Sequence, residues 1–130
     1  MRVLVDTHIL LWDILGDARS SRKAKDILSS DEHELVFSLA SLWEIAVKIK
    51  IGKLKLIGSS VAYIRDEMME YGMELLPIRY EHIRQLESLP HHPTHKDPFD
   101  RLLIAQSIAE ALPVLTEDKV FKQYGAKVIW

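Results

Sequence analysis

Short apolar runs alternate with longer amphipathic segments along the whole chain. The first run, RVLVD at 2–6, is rich in β-branched residues, as in a strand buried on both faces of a sheet. THILLWDILG follows, with Ile9, Leu10, Trp12 and Leu15 at helical spacing; Thr7 is its expected cap and Gly16 its stop. SRKAKDILSS predicts a second short helix and LVFSLA a second strand. In SLWEIAVKIKIGKL, Leu42, Ile45, Ala46 and Ile49 repeat with helical period, and Gly52 is the expected end. SVAYIRDEMMEYG predicts another helix closing at Gly72, MELLPI a strand, and YEHIRQLESLP a helix closing at Pro90. After the loop HHPTHKDP, a helix starts at Pro98 and runs through FDRLLIAQSIAEA, with proline suited to its first turn. LPVLTED, KVFKQYG and AKVIW read as strand, short helix and last strand. This alternation predicts an α/β fold with a mostly parallel sheet between helical layers.

No repeat, linker or low-complexity tract interrupts the pattern, so one domain over 1–130 is expected. An apolar fraction of 48% with 28% charged residues excludes a disordered chain and suits one substantial core. The absence of cysteine excludes disulfides, thiolate metal sites and a cysteine nucleophile, and it fits a reducing cytosol. The N-terminal stretch, interrupted by Asp6, lacks the form of a signal peptide, and nothing approaches a membrane span, so a cytoplasmic protein is expected. A net charge of −2 carries no global signature of nucleic-acid binding. Local clusters at Arg19, Arg22, Lys23, Lys25 and at Lys48, Lys50, Lys53, Lys55 read as solvated helix faces.

The acids change this picture. Asp100, in HKDPFDRLLIAQ, stands directly before an apolar run, and a carboxylate beside a core needs a partner. Asp6 closes the first strand and Asp118 lies just past LPVLT, both where parallel sheets carry their ligand crevice. Glu44 and Asp100 sit in the first turns of helices facing the same end. Each has an ordinary explanation as a cap, a dipole partner or a surface group. Together they repel unless a cation intervenes, and oxygen ligands without cysteine point to magnesium or manganese rather than zinc.

With these residues in place, the sequence resembles the PIN domain, specifically the VapC-type ribonuclease toxins of toxin–antitoxin pairs. The resemblance rests on VDTHILLW, SLASLWEIAVKIKIGKL, HKDPFDRLLIAQSIAE and LTEDKVFKQYGAKVIW, in that order over nearly the whole chain. It implies a three-layer α/β/α sandwich with four or five central strands. It also implies that Asp6, Glu44, Asp100 and Asp118 are the acids of a magnesium-dependent endoribonuclease, with manganese a possible substitute. Asp6 and Asp100 would be the principal ligands, directly or through water, and a second ion about 3.5–4 Å away would steady the leaving oxygen. Asp97 either caps the last long helix or reaches the metal, the cap being preferred. Thr116 either positions water or substrate or makes a structural hydrogen bond. Arg101 either approaches an RNA phosphate or pairs with an acid. The resemblance further implies an antitoxin partner and a homodimer, with ILLWDIL and SLWEIAVKIKIGKL as candidate contacts.

Other candidates have plainer readings. His91, His92 and His95 lack regular ligand spacing and read as a solvated loop. His8 either lines the edge of the site or, the preferred reading, packs or bonds locally; Trp12, Trp43 and Trp130 are expected to lie in the core, and Ser41 to cap its helix. Two competing functions are a catalytically silent interaction module and a phosphatase forming a phospho-aspartate. The second usually wants another aspartate soon after the strand acid, and DTHIL has none.

Overall fold

The computed structural model describes residues 1–16, 19–54, 60–94 and 97–130. The β-branched opening run forms β1 (Arg2–Val5), buried from Val3 onward, and the chain turns at once into α1 (Thr7–Leu15). Next come α2 (Arg22–Ser29), β2 (Glu34–Ser38), α3 (Leu39–Lys50), α4 (Val61–Glu70) and β3 (Glu74–Leu76). The remainder is α5 (Tyr80–Ser88), α6 (Pro98–Glu110), β4 (Val114–Leu115), α7 (Val120–Gln123) and β5 (Val128–Ile129). The alternation read from the sequence is reproduced, with two local differences.

Both differences concern helix starts. Thr7 is the first residue of α1 rather than its cap; Asp6 holds the cap position without a capping side-chain bond. The Thr7 hydroxyl instead meets the Ser41 hydroxyl at 2.8 Å, which also removes Ser41 from the cap role. The cap of α3 is Ser38, whose hydroxyl accepts from the Ala40 amide at 2.9 Å. That bond ends β2 and starts α3 earlier than LVFSLA suggests, because a serine able to serve the helix's free amides competes with the strand ladder.

All strand pairs are parallel, in the order β3-β2-β1-β4-β5. From β1 the chain builds β2 and β3 on one side, then crosses to build β4 and β5 on the other. Such a reversal leaves a crevice between the diverging connections, at the carboxyl ends of β1 and β4. Side chains alternate across the sheet. Val3, Val5, Phe37 and Leu115 join Ile9, Leu42, Ile45, Ile64 and Met68 in one core. Leu4, Val36, Leu76 and Val114 join Leu103, Ile104, Leu112 and Phe121 in a second core on the opposite face.

α6 closes that second layer. Pro98 occupies its first turn, and the Asp97 side chain caps it by accepting from the amides of Phe99 at 2.9 Å and Asp100 at 3.1 Å. Gln106, within the apolar run, is fully buried yet satisfied: its carbonyl accepts from Ser38 and its amide donates to Pro77 O at 3.3 Å. His82 beside it accepts the Arg79 amide at Nδ1 (2.9 Å) and meets Glu110 through Nε2 (2.8 Å). Among the described residues no helix is long and apolar enough to cross a membrane.

Leu103 is fully buried in the α6 core, so Leu103→Ala should destabilise the fold by about 2–5 kcal/mol. A shift in the urea unfolding midpoint with unchanged slope measures it.

Candidate metal centre

At the carboxyl ends of β1 and β4 the residue that follows each strand is polar, Asp6 after β1 and Thr116 after β4. Asp6 directly follows β1 and is 2% exposed. Thr116 directly follows β4 and is fully buried. The Thr116 hydroxyl donates to Asp6 Oδ2 at 2.7 Å and accepts from the Asp118 amide at 3.0 Å, so one side chain joins the two strand ends. Asp118 is half-buried and its Oδ1 accepts from the Val120 amide at 3.0 Å. Glu44, in the second turn of α3, is 1% exposed, and its Oε2 accepts from Lys48 Nζ at 2.7 Å. Asp100, in the first turn of α6, is also buried.

Two carboxylate oxygens, Asp6 Oδ1 and Glu44 Oε1, are buried with no hydrogen-bond donor. A buried acceptor left in this way costs about 1–3 kcal/mol, and more when charged. The electrostatics agree with crowding. Burial pushes the Asp100 carboxyl up to about 7, helped by repulsion from Asp97, Asp6, Glu44 and Asp118. Burial likewise raises Asp6 above its ordinary value of 3.8, with Glu44 adding to the effect. The Thr116 hydroxyl and the nearby His8 oppose that rise without reversing it. All four acids are therefore close enough for Asp100 to feel the other three.

They are not drawn into a closed ligand set: among the described residues no three acidic or imidazole groups are arranged to grip one ion. Thr116, Lys48 and the Val120 amide each hold one carboxylate of the group, so mutual repulsion is met by separate local partners.

The remaining candidates divide. Asp97 caps α6 and faces solvent, although its charge reaches Asp100. Arg101 donates to Pro90 O at 3.2 Å and to the Tyr124 hydroxyl at 3.1 Å, so its bonds tie α6 to a loop and to α7's end. His8 is exposed rather than packed, close enough to Asp6 to favour its charge. His91 is exposed and His92 stands edge-on to Tyr124, while His95 and Lys55 lie outside the described residues.

Three expectations of the sequence are corrected. Trp12 is buried, but Trp43 is 53% exposed and meets Phe99 edge-on at 4.7 Å. Its helix has a second apolar row, Leu39, Trp43, Val47 and Ile51, which the periodicity of Leu42, Ile45 and Ile49 concealed. In ILLWDIL, Ile9, Leu10, Leu11 and Trp12 are buried in the core and are no contact surface. Lys48 is half-buried on Glu44, whereas Lys50 and Lys53 are exposed as a solvated face requires.

A sequence model of the PIN domain matches residues 3–127. No curated protein matches the chain. Several solved structures share the fold. VapBC2 from Rickettsia felis, bound to a promoter DNA fragment, superposes with a TM-score of 0.70 at 13% identity, over 99% of this chain and 98% of that one. A toxin–antitoxin complex from Klebsiella pneumoniae gives 0.65 at 19% identity, over 98% and 96%. VapC20 from Mycobacterium tuberculosis, described as a sarcin–ricin loop cleaving toxin, gives 0.64 at 18% identity, over 95% of each chain.

The raised Asp100 carboxyl ties stability to pH. Below its ordinary value of 3.8 the group is neutral in both states, and above about 7 it must ionise against burial and its neighbours. The folded state then binds more protons than the unfolded one between those values, so the contribution of Asp100 to stability falls as pH rises through them. In metal-free protein, Asp100→Asn should flatten the decline in melting temperature between pH 5 and about 8, measured by thermal scans in chelator.

Proposed function

The chain belongs to the PIN domain family, and from that premise we propose that it is a magnesium-dependent endoribonuclease, the toxin of a VapBC-type pair. The observation that carries the reading is the pair of donor-less buried oxygens, Asp6 Oδ1 and Glu44 Oε1, beside the switch point of the sheet. A divalent cation is the partner they lack, and an all-oxygen set fits magnesium or manganese.

Asp6 and Asp100 would hold the ion, directly or through water, with Glu44 and Asp118 beside them. Bound there, it supplies an activated water and neutralises charge on the phosphate. The protein's own groups prepare that site. Thr116 fixes the Asp6 carboxylate by occupying Oδ2, which leaves Oδ1 for the ion. Lys48 does the same for Glu44. Asp97 keeps the first turn of α6 formed, and with it the placement of Asp100. Hydrolysis joins a water oxygen to phosphorus and breaks one P–O ester bond, leaving a phosphate on one fragment and a hydroxyl on the other. RNA as substrate is supported by the solved neighbour that cleaves the sarcin–ricin loop.

An antitoxin is the expected protein partner, supported by the toxin–antitoxin complexes that share the fold. The exposed row Leu39, Trp43, Val47 and Ile51 supports a partner surface on α3, for that antitoxin or a second copy.

Asp6→Asn and Asp100→Asn should each abolish magnesium-dependent cleavage of labelled RNA, as chelator does to the parent. Both variants should keep the parent's circular dichroism and, without metal, melt at or above its temperature, because one repelling charge is gone. Full activity in either variant rejects the assignment. The product of the adjacent reading frame should co-purify with the chain when the two are expressed together. A free monomer under those conditions rejects the pairing.

A further inference from the structure

We propose that Lys48 is a substrate-binding residue of this site, its ammonium contacting the phosphate of the nucleic acid being cut. The inference rests on the nuclease reading above and names a group that reading used only to orient Glu44.

α3 places Glu44 and Lys48 one turn apart on one face, and their side chains meet at 2.7 Å. The two ends of that contact differ: Glu44 is 1% exposed, while the lysine side chain is 30% exposed. The lysine therefore reaches an internal acid of the site from a side chain that is itself partly open to solvent, a position from which its ammonium can meet an entering phosphodiester. An ammonium has three N–H donors, and the bond to Glu44 occupies one. A lysine held only as the counter-ion of an internal acid has no need of that exposure. Lys50 and Lys53, two and five residues on, are exposed, so the half-buried position belongs to Lys48 alone of the described lysines in this run.

Charge gives the lysine a part that Thr116 cannot play. A cation held beside Glu44 would share the carboxylate's charge and leave the ammonium's remaining N–H donors for a second anion. In hydrolysis the non-bridging phosphate oxygens gain negative charge as water adds to phosphorus. A fixed ammonium beside them favours that arrangement over the ground state. Lysine does this as a point charge, so arginine should substitute in part and methionine not at all.

The test compares Lys48→Met and Lys48→Arg with the parent in two assays. At saturating RNA and at the magnesium concentration that saturates the parent, Lys48→Met should lose about tenfold or more in kcat, with Lys48→Arg between it and the parent. Magnesium affinity, read by calorimetry without RNA, should fall by less than kcat does in Lys48→Met, because the lysine holds only Oε2 of Glu44. In a second assay on the non-cleaving Asp100→Asn background, adding Lys48→Met should lower the salt dependence of RNA binding by about one ion. A kcat equal to the parent's overturns the proposal, as does a loss fully recovered by raising magnesium, which would mean that Lys48 acts only through Glu44. If the parent cleaves no RNA, the nuclease reading falls by itself. The binding assay still decides Lys48 then, and a salt slope identical with and without the lysine rejects it.

Discussion

Carboxylates held together out of water must be neutralised or kept apart, and the carboxyl end of this sheet is organised around that constraint. The Thr116 hydroxyl stands at its centre, donating a hydrogen bond to Asp6 and accepting one from the Asp118 amide. One small side chain so joins β1 to β4 across the point where the strand order reverses. Lys48 holds Glu44 in a comparable way from one turn along α3. In each case one oxygen is satisfied and the other is left without a donor.

The layers behind the site serve that placement. Asp100 reaches the crevice because Asp97 and Pro98 start α6 at that point and the apolar run beyond anchors the helix in the second core. The buried side chains of Ser38, Gln106 and His82 form a chain from the end of β2 through α6 to α5, and the half-buried Glu110 closes it at the surface. Ser38 also caps α3, the helix that carries Glu44 and Lys48. The orientation of the acids is thus linked to a satisfied polar network inside an apolar layer, where an unpaired group would be costly. Burial raises the Asp100 carboxyl first, and crowding adds to it, since Asp97, Asp6, Glu44 and Asp118 all push the same way.

The strand–helix alternation, the ends of α1 and α4, and the four acids were legible in the sequence because they depend on local rules. β-branched runs, glycine stops and a proline in the first turn act within a few residues. Asp6 and Asp118 were legible too, since a residue at the end of a parallel strand has its place set by the strand. The helix caps were less so. Thr7 and Ser41 were the expected caps of α1 and α3, but their hydroxyls face each other across the two helices, Asp6 takes the cap position of α1, and Ser38 caps α3.

The chain by itself determined a parallel α/β sheet and where along it the acids occur, through side-chain period and charge. Only the tertiary structure decided which of two apolar rows on α3 is buried, so that Leu42 and Ile45 pack and Trp43 stays out. It alone separated Lys48 from its solvated neighbours and left Asp6 Oδ1 and Glu44 Oε1 without donors. Those outcomes depend on what the other elements place opposite each position. Periodicity along one segment carries no information about the surface that will meet it.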